Sequence, residues 1–277
     1  MAAPGSSRFL IGTSHKMYFS HARTVAWCHS VAEIAGKHPA ISGGAVELFV
    51  IPTYLSVPAA LDAFGSLALI GTQDLSIEDS GAYTGEVSGA EIAELGCRVV
   101  EVGHAERRRL FGETPEVVAA KTAAALRNGL NPVLCIGEAE RTTPDEAVRD
   151  CIAQIDSALE PSRLAGHGGR VIVAYEPHWA IGAPQPASPD YIRAVCSALR
   201  AYVRTLSGFP ESAVIYGGSA GPGLLTEIAD SVDGIFLGRF AHEPEALGVI
   251  LDEALAAAEA LDGAGNLGEN APRRTNV

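Results

Sequence analysis

The sequence predicts an α/β protein folded as a single-domain (β/α)8 barrel, and three observations lead there. Eight short β-rich runs alternate with longer helical patterns along the chain, the order expected of a parallel sheet covered by helices. Most of these runs are unbroken apolar stretches, as strands buried on both faces require. The length of 277 residues suits one such barrel, which commonly occupies about 250 residues.

The elements follow in order. Phe9–Gly12 is the first run, followed by a helix from Ser20 to Ala35 that is expected to close on Gly36. Val46–Pro52 and Leu67–Gln73 are the second and third runs, and Arg98–Gly103 is the fourth. The next helix opens at Thr114-Pro115-Glu116 and ends, after Lys121 to Asn128, at Gly129 as a C-cap. Pro132–Gly137 precedes a helix opened by Thr143-Pro144-Asp145, and Val171–Glu176 precedes one opened by Ser188-Pro189-Asp190. Each opening sets a capping hydroxyl before a proline at the first helical position, with an acid in the first turn. Ala213–Gly217 and Gly234–Gly238 complete the eight.

A doubly wound open sheet shares this alternation, but no GxGxxG follows the first run. No linker divides the chain. The barrel domain is expected over residues 1–261, and residues 262–277 (DGAGNLGENAPRRTNV), where periodicity is lost, are expected to form a flexible C-terminal tail.

Hydrophobic residues make up 47% and charged residues 19%, with a net charge of −13. This is a globular composition with an acidic surface, so neither nucleic acid nor an anionic membrane is an expected partner. An anionic substrate would have to be held locally, by a lysine, an arginine or backbone N–H groups. MAAPGSSRFL lacks an apolar stretch after a basic start, and no window approaches the roughly 20 apolar residues of a membrane span, so a cytoplasmic location is expected. Cys28, Cys97, Cys135, Cys151 and Cys196 are odd in number and free of CxxC pairs, which points to reduced, mostly core thiols rather than a disulfide framework or zinc site.

In such a barrel, function sits at the C-terminal ends of the strands. The first strand runs into Thr13-Ser14-His15-Lys16, the fourth into His104-Ala105-Glu106-Arg107-Arg108 and the sixth into Glu176-Pro177-His178-Trp179. A lysine, a histidine and a glutamate would converge on one mouth. That trio suits proton abstraction beside a carbonyl, with a carboxylate as base and the other two stabilising an enediolate. Gly217-Gly218-Ser219 and Gly238-Arg239 follow the seventh and eighth strands, where barrels often bind phosphate. Singly, each has a plainer explanation: a solvated lysine, a structural histidine, glycines serving turns. Their joint placement at strand ends favours the chemical reading.

The same residues carry a family resemblance. GHAERRRLFGET, AYEPHWAIG and IYGGS resemble the strand-4 motif, the catalytic-glutamate and lid segment, and the strand-7 phosphate loop of triosephosphate isomerases. Lys16, Leu134-Cys135-Ile136-Gly137-Glu138 and Gly81-Ala82-Tyr83-Thr84-Gly85-Glu86 agree in order and spacing, so the resemblance covers about residues 8–261. It implies a TIM barrel with Glu176 as the base, a neutral His104 as the electrophile and Lys16 as the positive charge, under a water-excluding loop; triosephosphate isomerase itself exemplifies that logic. It implies that Glu106 pairs with Lys16, although an acid at a helix start is also favoured by the dipole. The lid would span Pro177 to Ala187, with the Gly182 N–H reaching the phosphate, while Tyr216 and Ser219 receive the closed lid. The third loop would insert Thr84 into a partner beside its Lys16 and His104, so a homodimer is expected. No metal or organic cofactor is implied.

The chain departs from the family pattern around the ligand. Where these isomerases carry Asn-x-Lys, it has Ser14-His15-Lys16; Gly-Gly after the eighth strand is Gly238-Arg239; Ala105 follows the histidine; and the later lid reads Ala183-Pro184-Gln185-Pro186. The Ser-x-Lys and Gly-Arg features look like those of the tetrulose-phosphate branch, which interconverts L-erythrulose 1-phosphate and D-erythrulose 4-phosphate. Ser14 would make room for one CH2OH group, and Arg239 would contact the phosphate or the added hydroxyl. The alternative is a genuine triosephosphate isomerase interconverting dihydroxyacetone phosphate and D-glyceraldehyde 3-phosphate. A catalytically silent barrel fits poorly with Lys16, His104 and Glu176 together. His178, at the lid hinge, is expected to pack beside Trp179 rather than to tune closure.

Overall fold

The computed structural model describes residues 9–269. Within them eight parallel strands pair in sequence order and close on themselves: β1 (Phe9–Ser14), β2 (Val46–Ile51), β3 (Leu69–Thr72), β4 (Val99–Val102), β5 (Asn131–Ile136), β6 (Ile172–Tyr175), β7 (Ala213–Tyr216) and β8 (Gly234–Leu237). The β1–β8 pairing, with Leu10 opposite Gly234 and Thr13 opposite Leu237, seals the barrel. All eight anticipated runs are present, trimmed or extended by a residue or two at their ends.

Strand side chains alternate between faces, and the burial divides accordingly. Leu10, Phe49, Val99, Val133, Ile172, Ile215 and Phe236 fill the barrel interior. Ile11, Leu48, Val100, Leu134, Val173 and Val214 face the surrounding helices. Phe49 and Phe236 stack at 5.6 Å between ring centroids, and Gly12 is the residue that lets them fit. A Cβ there would lie 1.9 Å from the Phe49 ring. This apolar floor supports the polar layer that follows it at the C-terminal ends.

Capping explains most helix starts. Thr114 accepts from the N–H of Val117, and Thr143 forms a reciprocal capping box with Glu146. Ser188 stands at the N-cap of Pro189–Val203 without a side-chain hydrogen bond, so there proline alone marks the start. Gly129, at φ +70°, follows the helix Pro115–Arg127 as expected. Gly36 does not cap its helix, which runs His21–Lys37. Pro39 sets that end instead, because a residue before proline is driven out of the α region and His38 is extended at φ −85°, ψ 129°.

The last helix, Pro244–Glu269, continues past Leu261, so residues 262–269 are helical where the lost periodicity suggested irregular chain. Extending an existing helix adds one hydrogen bond per residue without a new nucleus. Residues 270–277 of the expected tail lie outside the described residues. No helix among the described residues is long and apolar enough to cross a membrane.

Candidate active site

The C-terminal ends of the strands enclose a cavity of about 170 Å³, smaller than the roughly 300–1,000 Å³ of drug-sized sites. Ser14, Lys16, His104, Glu176, Gly182, Ser219, Gly238 and Arg239 all border it. The sequence-predicted catalytic and phosphate-site residues therefore do converge. Thr84 does not join them: it is exposed in the loop after β3, beside the half-exposed Tyr83.

His104 is the N-cap of the helix Ala105–Phe111, and its Nδ1 accepts the N–H of Glu106 at 3.1 Å. An Nδ1 that accepts carries no proton, so the neutral ring holds its proton on Nε2. Nε2 lies 3.4 Å from Glu176 Oε2. Burial lowers the His104 pKa to about 3, and the positive charges of Lys16 and Arg108 and the neighbouring His178 act in the same direction. The imidazole is thus a neutral donor at any working pH.

Glu176 sits one residue past β6 on the inner face, buried to 5% exposure, and its Oε2 has no hydrogen-bond partner among the described residues. Burial raises its pKa to about 8, against the pull of Lys16 and with the negative charges of Glu101 and Glu106 adding to the rise. A base poised near neutrality is well matched to proton transfer. Gly217 makes the placement possible, since a Cβ there would stand 2.5 Å from Glu176 Oε1.

Lys16 bonds Glu106 Oε1 through Nζ at 2.9 Å. Burial opposes its charge, but the hydrogen bond to Glu106 and the charges of Glu176, Glu106 and Glu101 outweigh that and raise its pKa. Its backbone lies at φ +46°, a region that side-chain-bearing residues seldom adopt and that costs about 1–3 kcal/mol. Gln73 holds it there by donating from Nε2 to Lys16 O at 2.9 Å.

The segment Pro177 to Ala187, expected to form the lid, is anchored at both ends. Glu138 accepts from Trp179 Nε1 at 2.8 Å, Tyr191 Oη at 3.0 Å and Tyr175 Oη at 3.1 Å, which fixes the first hinge. Trp179 packs edge-on against Tyr191, and the neighbouring His178 donates its backbone N–H to Glu138 O. At the other end Tyr216 Oη accepts from the Ala187 N–H at 3.1 Å and donates to Gly218 O at 2.8 Å. Ser219 Oγ donates to Ala180 O at 2.8 Å. Arg239 Nη2 donates to Gly182 O at 3.2 Å, so its guanidinium is engaged with the lid tip.

Three positions matter to which the sequence alone assigned no role. Glu101 is buried in the barrel interior and accepts the Ser14 hydroxyl at 2.8 Å. Gln73 and Glu138 act through backbone and ring contacts of other residues. A charged residue in the apolar run Arg98–Gly103 was the available signal for Glu101. No cluster of three or more His, Cys, Asp or Glu side chains disposed to hold a metal ion occurs among the described residues.

The triosephosphate isomerase family model matches residues 9–254, which is most of the chain. The protein belongs to the triosephosphate isomerase family. It is accordingly an isomerase of that family. Among curated members, L-erythrulose-1-phosphate isomerase of Pectobacterium atrosepticum is 49% identical over 250 residues, covering 90% of this chain and 96% of its own. The L-erythrulose-1-phosphate isomerase of Mycolicibacterium smegmatis is 39% identical, covering 92% and 96%. A triosephosphate isomerase of Mycobacteroides abscessus is also 39% identical, covering 87% and 94%. Family membership thus coexists with two reactions among the relatives.

Proposed function

We propose that this isomerase interconverts L-erythrulose 1-phosphate and D-erythrulose 4-phosphate through an enediolate. The observation that carries the reading is Ser14. Where a triosephosphate isomerase would present an asparagine amide, a short hydroxyl borders the cavity beside Lys16, His104 and Glu176, which leaves space for the additional CH2OH group. The 49% identical relative that carries the tetrulose name supports it.

Glu176 takes the proton from C3 of L-erythrulose 1-phosphate while the C2 carbonyl oxygen gains negative charge. Nε2–H of His104 and the Lys16 ammonium stabilise that oxygen, the differential stabilisation on which such catalysis depends. Glu176 returns the proton to C2, and His104 moves the hydroxyl proton from O3 to O2. The carbonyl then stands at the neighbouring carbon. Backbone N–H groups of Gly182, Ser219, Gly238 and Arg239 would hold the phosphate; Gly217 N–H is already bonded to Tyr175 O at 2.9 Å.

The loop carrying Tyr83 and Thr84 would dock a second copy of the chain, and light scattering on the purified protein tests that dimer. The five buried free cysteines support a reducing, cytoplasmic setting. The deciding experiment is kcat/KM for L-erythrulose 1-phosphate and D-glyceraldehyde 3-phosphate under the same conditions. A preference for the tetrulose is expected, and Ser14→Asn should move it toward the triose. A strong triose preference in the native protein would make it a triosephosphate isomerase with a drifted pocket.

A further inference from the structure

Glu101 is a carboxyl group in a layer otherwise built from apolar side chains. On β4 it lies two residues beyond Val99, on the same inner face, and it is 3% exposed. Burying a carboxyl group is costly unless it is paired, and its one hydrogen bond among the described residues is the 2.8 Å contact from Ser14 Oγ. Ser14 is itself 2% exposed and is the inward residue at the end of β1. Glu101 therefore stands directly behind the residue that departs from the family's asparagine.

The direction of that bond has a chemical consequence. A serine hydroxyl has one proton and two lone pairs. With the proton given to Glu101, Ser14 Oγ has only lone pairs left for the cavity. An asparagine amide at the same place would bring two N–H donors as well as an acceptor. The exchange changes the polarity of the contact as well as its size.

We infer that Ser14 and Glu101 act as one reading unit, in which Glu101 holds the Ser14 proton so that Ser14 accepts a hydroxyl donated by the terminal CH2OH of a four-carbon substrate. Ser14 is then a specificity residue in contact with substrate, and Glu101 is a positioning residue acting through it. This rests on the tetrulose-phosphate reading and names the substrate group that the departure recognises. A triose phosphate has no such hydroxyl, and the unit gives it no advantage.

The test compares L-erythrulose 1-phosphate with its 4-deoxy analogue, in which CH3 replaces CH2OH, at pH 8. The ratio of the two kcat/KM values is taken within one variant, so the folded fraction cancels. The native enzyme should prefer the parent compound at least tenfold, as a site built to pair a substrate hydroxyl does. Ser14→Ala and Glu101→Leu should each bring the ratio to within about threefold of unity, and the double variant should change it no further. Glu101→Gln should keep most of the preference, because its amide oxygen still accepts from Ser14.

A native preference that survives Glu101→Leu unchanged overturns the role of Glu101. Should that variant not fold, Ser14→Ala decides alone, since it removes one oxygen and leaves the buried carboxyl in place. An undiminished ratio there overturns the proposal. Equal native efficiency on parent and deoxy compound overturns it while leaving the tetrulose reaction standing; native turnover of the triose alone overturns both.

Discussion

His104 Nδ1 accepts the backbone N–H of Glu106 at 3.1 Å, and this single contact determines which nitrogen can donate to substrate. The first turn of the helix Ala105–Phe111 holds the ring as its cap, leaving Nε2 as the protonated nitrogen, 3.4 Å from Glu176 Oε2 without a hydrogen bond between them. The proposed base and the proposed electrophile thereby flank the same small volume.

Removing the base while keeping its shape is the most direct check. Glu176→Gln should lower kcat by at least 10²–10⁴-fold, the usual contribution of a positioned general base, with a far-UV spectrum indistinguishable from native. A loss under tenfold would exclude Glu176 as the base.

The raised pKa of Glu176 predicts an acid limb. Only ionised Glu176 accepts a proton, and its pKa is raised to about 8, so kcat/KM should fall as pH drops through that value. A substrate phosphate titrates near pH 6 and lies below the limb. His104, lowered to about 3, should add no limb above about pH 4; ¹⁵N shifts of its ring should show the neutral form throughout. For stability the signs differ. The depressed His104 contributes stability that is complete above pH 6.5 and is lost as pH falls toward 3, whereas the raised Glu176 contributes stability present below pH 4.5 and lost as pH rises through 8.

Lys16 combines function with strain. Lys16→Ala and Lys16→Gly both remove the ammonium and its bond to Glu106, but only glycine relieves the backbone at φ +46°. Chemical denaturation should find the glycine variant more stable than the alanine variant by about 1 kcal/mol. Both should be severely impaired in turnover. Equal stabilities would mean that the left-handed backbone is not strained.

Gly217→Ala tests how tightly Glu176 is seated. The new Cβ would meet Glu176 Oε1 at 2.5 Å and Cγ at 2.8 Å, so the carboxylate has to shift into the cavity it borders. A displacement near 1 Å commonly costs about 10²-fold in rate, and overpacking costs about 1–3 kcal/mol in stability. Steady-state kinetics and a thermal melt read the two effects separately.

Tyr216→Phe should weaken the closed lid. It deletes the acceptor for the buried Ala187 N–H and the donor to Gly218 O. An unsatisfied buried group costs about 1–3 kcal/mol, so the closed population and kcat should fall about tenfold or more. Unchanged turnover and unchanged protection of the Ala187 amide from hydrogen exchange would remove Tyr216 from lid closure.

Much of this was legible in one dimension because it depends on local pattern. Eight apolar runs separated by helix signals, with no GxGxxG after the first, point to a parallel barrel, and strand-end residues are recognisable because such barrels concentrate polar groups there. Lys16, His104 and Glu176 could be located in this way. Helix ends were less legible: Gly36 looks like a cap until Pro39 is weighed against it, and residues 262–269 look irregular although they prolong an established helix.

What the sequence by itself determined, then, is the order of elements, the family and the chemistry-bearing residue types, since all three follow from periodicity and motif. Only the tertiary structure decided the protonation geometry of His104, the engagement of Arg239 with the lid and the seating of Ser14 on Glu101, 87 positions away. Those properties arise where barrel closure brings distant strands side by side. Burial then sets pKa values and hydrogen-bond directions through neighbours that have no fixed spacing in the chain.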